Sequence, residues 1–89
     1  MATIRFTGTL ARHRPAPTLT ADGATVRELL DRAFAGDALL RSYILDDQGR
    51  VRRHVNIFVD GAMIADRKRL SDAVAPGAEV YILQALSGG

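Results

Sequence analysis

Apolar and polar positions alternate through "TIRFTGTL" near the start of the chain, with Ile4 and Phe6 set against Thr3 and Arg5. That period of two is the signature of a strand with one buried face. A second short strand is expected near "PTLTA", after the breakers Pro15 and Pro17, so the two form an opening hairpin. The pattern then changes period. In "TVRELLDRAFAG", Val26, Leu29, Leu30, Ala33 and Phe34 recur at i, i+3, i+4, i+7 and i+8, which draws one apolar stripe along a helix. Thr25 and Glu28 are spaced as a T-x-x-E capping box, worth about 1 kcal/mol, and Gly36 is expected to supply a left-handed stop.

Beyond the helix, Asp37 begins a short helical turn through Leu39 and Leu40, and "YILDDQGRVRRHVNIFVDG" reads as two strands around a turn at Asp46, Asp47 and Gly49. Val55, Ile57 and Val59 then point one way, and His54, Asn56 and Phe58 the other. Asp60-Gly61 is a hairpin signal into Ala62, Met63 and Ile64. A capped helical turn is expected in "RLSDAV" around Ser71, and a tight turn at Pro76-Gly77. The last strand, "EVYILQAL", sets Val80 and Ile82 on one face and Tyr81 and Leu83 on the other.

These elements predict an α+β fold, a sheet of four to five strands packed on one main helix. One helix covers one side of a sheet. Ile4, Phe6, Val55, Ile57, Val80 and Ile82 are therefore assigned to the core against the helical stripe. The opposite face is left to Arg5, Phe58, Tyr81 and Leu83, with Leu86 beyond, a candidate partner surface because contiguous exposed apolar groups mark interaction sites.

Composition narrows the possibilities further. Eighty-nine residues make one small domain, 47% hydrophobic and 25% charged, an ordinary globular balance that argues against disorder. Cysteine is absent, which removes disulfides, thiolate metal sites and a cysteine nucleophile together. No stretch approaches the roughly 18 apolar residues of a membrane span, and "MATIRFTGTL" lacks a secretory apolar core, so a cytoplasmic setting without a membrane partner is expected.

Basic residues cluster at Arg50 to His54 and Arg67 to Arg69 within a net charge of only +2. No stacking aromatics interleave with them, so they read as solvated loops or a patch for an acidic protein rather than a nucleic-acid site. His13 and His54 lack partners at metal-ligand spacing, and Asp46 and Asp47 sit beside Gly49 as turn formers, so no metal is expected.

The chain ends "LQALSGG", and two final glycines are a costly choice wherever order is wanted. Taken with the succession of elements, the "VNIFVDG" hairpin and the "LSDAVAPGAEVYIL" approach to the last strand, this ending resembles the ubiquitin-like β-grasp sulfur carriers. That family includes the small subunit of molybdopterin synthase, the thiamine-thiazole sulfur carrier and the carrier of a cysteine-synthesis route. The long "YILDDQGRVRRHVNIFVDG" segment is most similar to the cysteine-route carriers. Gln84, where molybdopterin-synthase subunits often have proline, and Ser87, which replaces a frequent alanine, depart from that subtype, whereas Glu79 stands where an acidic residue is usual.

The resemblance implies a β-grasp domain over residues 1–84 with a C-terminal tail over 85–89, and a carrier that is not itself an enzyme. It further implies that an adenylating enzyme of the ubiquitin-activating type joins the Gly89 carboxylate to AMP, and that sulfide or a persulfide displaces the AMP to leave a thiocarboxylate. A sulfur-accepting biosynthetic enzyme is then the second partner. No cofactor is bound by the carrier, because the activating partner uses the ATP. Gly88 keeps the path narrow for entry into an enzyme channel, since a Cβ would obstruct close backbone approach. Phe58, Tyr81, Leu83, Leu86, Ser87 and Arg5 are the expected partner-binding residues. The same activated Gly89 in a protein modifier would instead form an isopeptide bond with a substrate lysine.

Overall fold

The computed structural model describes residues 1–8 and 18–84. Among them are five strands, β1 (Ala2–Gly8), β2 (Leu19–Ala21), β3 (Val55–Val59), β4 (Ala62–Met63) and β5 (Glu79–Gln84), and two helices, α1 (Val26–Ala33) and α2 (Ala38–Ile44). The strands form one sheet in the order β2-β1-β5-β3-β4. β1 and β5 run parallel at its centre, Ile4 opposite Val80 and Phe6 opposite Ile82, while the other pairings are antiparallel. A mixed sheet closed around a helix in this order is the β-grasp arrangement that the resemblance implies. Pro15, Pro17 and His13 lie outside the described residues.

The helical stripe packs as its spacing demands. Val26, Leu29 and Leu30 have no exposed surface, and neither do Ile4, Val55, Ile57, Val80 and Ile82 from the sheet. Phe6 is only partly buried, but its ring lies against Phe34 with centroids 6.2 Å apart. Burying a side chain of this size contributes about 1.5 to 3 kcal/mol, so these residues outweigh any single polar contact in the molecule. The Thr25 hydroxyl accepts from the Glu28 amide at 3.2 Å, as a capping box requires. The Glu28 carboxylate reaches one residue further back than expected, accepting from the Ala24 amide at 2.9 Å. Thr25 itself bridges to Ala73, and its neighbour Val26 donates to the Asp72 carbonyl, which ties the helix start to a distant loop.

Four local expectations are corrected. Gly36 is absent from the left-handed positions; α1 ends instead by tightening, with Ala35 N–H donating to Arg32 and Asp37 N–H to Phe34. The turn after Asp37 continues as a full helix, because Leu40 and Ile44 lie one turn apart and both bury against the core, with the Asp37 carboxylate capping Leu40 N–H at 2.9 Å. Tyr43 and Ile44 are thus helical, and the expected strand pair around residue 48 shrinks to one bridge between Leu45 and Val51. No helical turn forms over "RLSDAV". The Asp66 carboxylate organises the preceding turn, and Leu70 is held at φ 56° with its side chain fully buried.

Candidate functional site

Alternation along β3 and β5 decides what the sheet presents outward. Register puts Arg5 opposite Tyr81, Tyr81 opposite Phe58, and Phe58 opposite Met63, so one row crosses four neighbouring strands from β1 to β4. The hairpin that ends this row is built by Asp60 at φ 49° and Gly61 at φ 88°, the paired positive φ values that suit the twist of a two-residue hairpin. Tyr81 is 37% exposed and Met63 53%, with Phe58 partly exposed between them. Flanking the row, Leu83 lies opposite Asn56 and is partly exposed. Arg5 reaches Glu79 at 3.7 Å, an exposed pair of little energetic weight.

The structure therefore brings together four of the expected partner-binding residues, Arg5, Phe58, Tyr81 and Leu83, on one face. Leu86, Ser87, Gly88 and Gly89 lie outside the described residues. Met63 is the member of this surface that sequence reasoning missed. Counting outward from the Asp60-Gly61 turn pairs Val59 with Ala62 and Phe58 with Met63, so the signal was present in the chain.

A second group of residues gathers where β3 begins, beside the end of β5: Val55 pairs with Gln84, the last described residue. There the loop carrying Arg50 to His54 meets the turn carrying Arg67 and Lys68 around an open cleft of about 450 Å³. Arg67 Nη2 donates to the carbonyls of Arg52 and Val55, each at 2.7 Å, and Nη1 to Asn56 Oδ1 at 3.2 Å. Arg27, projecting from α1, holds both segments in place. Its Nη2 donates to the Gly49 carbonyl at 2.7 Å and to Lys68 at 3.3 Å, and its Nε to Arg69 at 3.3 Å.

Two carboxylates shape these segments. Asp46 accepts from the backbone of Arg50 and Gln48 and from the Arg50 side chain, and its pKa lies below the usual carboxylate value chiefly through the Arg50 amide. Asp66 accepts from the Ser71 hydroxyl at 2.6 Å and from the amides of Arg69 and Lys68. The Ser71 hydroxyl is the foremost cause of its pKa, lowered to about 2. Among the described residues, no three His, Cys, Asp or Glu side chains are grouped to hold a metal ion. No helix among them is long and apolar enough to cross a membrane.

Comparison with known proteins supplies the context. The ThiS family model matches residues 4–89. Among solved structures, SAMP1 from Haloferax volcanii is 27% identical with a TM-score of 0.75, covering 99% of this chain and 98% of that one. Mycobacterium tuberculosis CysO, described as an antigen, is 25% identical with a TM-score of 0.77, covering 97% of this chain and 100% of its own. A chain of the Amycolatopsis orientalis BexX/CysO complex has a TM-score of 0.80 at 24% identity with full coverage of both, a likeness of fold. No curated protein matches the chain at a significant level. The fold is that of the ubiquitin-like sulfur carriers and modifiers.

Proposed function

Because the chain belongs to the ThiS family, we propose that it is a sulfur carrier whose Gly89 carboxylate is activated by a separate adenylating enzyme and converted to a thiocarboxylate. One observation carries this reading: the family match runs to residue 89 and so takes in Leu86, Ser87, Gly88 and Gly89. In the first step a carboxylate oxygen attacks the α-phosphorus of ATP and pyrophosphate leaves. Hydrosulfide then attacks the acyl carbon, AMP departs with the electrons of the broken C–O bond, and the thiocarboxylate remains. Activation is needed because a carboxylate is a poor acyl donor, whereas the mixed anhydride carries a good leaving group.

The body supplies the binding. Ordering each tail residue in an enzyme channel costs roughly 1 to 2 kcal/mol, so contacts made elsewhere must offset it. The Arg5–Tyr81–Phe58–Met63 row, with Leu83 beside it, is the surface we assign to that docking. Residues 85–89 are the tether and reactive end, and the carrier acts as a cosubstrate, with ATP bound by its partner. Likeness to CysO favours a cysteine-type route for the delivered sulfur over a molybdopterin or thiazole product. A cytoplasmic setting, where ATP is available, suits this chemistry. Likeness to SAMP1 favours a second reading, a protein modifier joined to lysines through Gly89.

Incubating the purified protein with ATP, an adenylating enzyme of this family's type and sulfide, then weighing it intact, separates the two. Replacement of one oxygen by one sulfur is expected. An unchanged mass, together with Gly-Gly remnants on cellular lysines, would sink the carrier in favour of the modifier.

A further inference from the structure

The basic corner beside the end of β5 plays no part in the docking row, yet the charge lining its cleft is strongly one-sided. Arg50, Arg52, Arg53, Arg67 and Lys68 line its cleft with a single carboxylate, Asp46, and that carboxylate is bound to Arg50 at 3.1 Å. Arg52 and Arg67 donate only to neutral oxygens: Arg52 Nε to the Ser42 carbonyl at 2.6 Å, and Arg67 to carbonyls and the Asn56 amide. These bonds fix the guanidinium groups without cancelling their charge. Among the described residues, the side chains of Arg53 and Lys68 take part in no ion pair, and both are exposed. A net charge of +2 for the whole chain therefore conceals a local excess, with the remainder of the surface tending to the acidic side.

Position gives this excess a use. Arg52, Arg53 and His54 immediately precede Val55, which pairs with Gln84, so the corner flanks the last described residue of β5. Five residues extend at most about 17 Å, so any protein that holds the chain's last carboxylate must stand close to this corner. Along the outward side of β3 the surface passes from Phe58 to Asn56, opposite Leu83, and the chain just before the strand carries Arg52 and Arg53.

We propose that this corner is a docking site for a carboxylate-rich segment of the protein that takes the tail, with Arg53 and Lys68 as its free charges and Arg52 and Arg67 as its fixed ones. The site rests on the carrier reading for the identity of that protein, but not for its anion chemistry. Carboxylates suit it better than nucleic acid, since the cleft lining holds no Phe, Tyr or Trp ring on which successive bases could stack. Its main effect is on encounter: a focused field of one sign raises association rates by about 10- to 1000-fold and fades as salt screens it.

The first test uses a decaglutamate peptide titrated into the full chain, followed by amide chemical shifts. Shifts concentrated at residues 52–54 and 67–69 are expected, lost at about 0.5 M NaCl and in the Arg53→Glu/Lys68→Glu double variant, whose replaced side chains carry no described structural bond. Shifts spread over the surface, or tighter competition by oligothymidylate, overturn the proposal. In the second test the double variant enters the activation assay. We expect kcat/KM to fall about tenfold at low salt with kcat unchanged, and to converge on wild type at high salt. Equal kcat/KM at low salt overturns the site even if the peptide binds. If the wild-type chain gains no sulfur at all, the carrier reading fails, while the peptide titration still decides the corner.

Discussion

Val80, Tyr81 and Ile82 are consecutive on one strand, yet Val80 and Ile82 are wholly out of water while Tyr81 is 37% exposed. The same contrast holds on β3, where Ile57 is buried and its neighbour Phe58 is partly exposed. All are apolar or aromatic, so side-chain type alone does not assign them. Their role follows from which face the pleat gives them. The inner face is filled by α1 and so carries stability, whereas the outer face has no covering element among the described residues and is available for a partner.

The sharpest way to break that contrast is to truncate each face in turn. Ile82→Ala should cost about 2 to 5 kcal/mol, since it removes buried methyl groups and leaves a cavity; a shift of the urea midpoint measures this. A Tyr81→Asp variant that loses as much would show the outer face to be structural. Gly49→Ala should follow at about 1 to 2 kcal/mol, because the residue sits at φ +78° and the new Cβ would lie 2.8 Å from Arg27 Nη1. That substitution disturbs the staple on the basic corner rather than either face. Peptide binding should therefore weaken with it while Phe58 and Tyr81 keep their native amide shifts.

Acid separates the corner from both faces in another way. Asp66 has its pKa lowered from 3.8 to about 2. The folded state thus holds this carboxylate ionised where the unfolded chain has already begun to take up a proton. Its contribution to stability is present above about pH 4 and is lost as pH falls toward about 2. The Asp66→Asn variant should flatten the fall in stability across that window, as read from thermal melts at successive pH values. An unaltered slope would remove Asp66 as its source. The smallest effect on stability is expected on the outer face. Phe58→Asp and Tyr81→Asp should each stay within about 0.5 kcal/mol of wild type while lowering activation by the adenylating enzyme, as steady-state kinetics would report. Unaltered kinetics in both would move the docking row elsewhere.

How far the sequence carried the fold depended on the range of the forces involved. The cap at Thr25, the stripe from Val26 to Phe34 and the alternation of β3 and β5 are local patterns, and each formed where its spacing placed it. α2 was read too short because Tyr43, Ile44 and Leu45 also suit a strand; burial of Leu40 with Ile44, one turn apart, decided for the helix. The central parallel pairing of β1 with β5 has no local signature and was available only through the family resemblance. At the site, Arg5, Phe58, Tyr81 and Leu83 were legible from alternation. Arg27's reach to Gly49, Lys68 and Arg69 was not, because it joins segments far apart in the chain through backbone carbonyls that any sequence would offer.

The β1–β5 pairing has one more implication, in the order in which the chain is made. A chain emerging from the ribosome offers β1 first, but its parallel partner arrives only with residues 79–84, and β3 too waits for that strand. The sheet's centre is consequently the last part to close. A chain cut short before β5 leaves β1 and β3 with unpaired edges and an open core, a form exposed to proteolysis. Completion of the sheet thus depends on synthesis having reached the strand that leads, five residues on, to the last glycine.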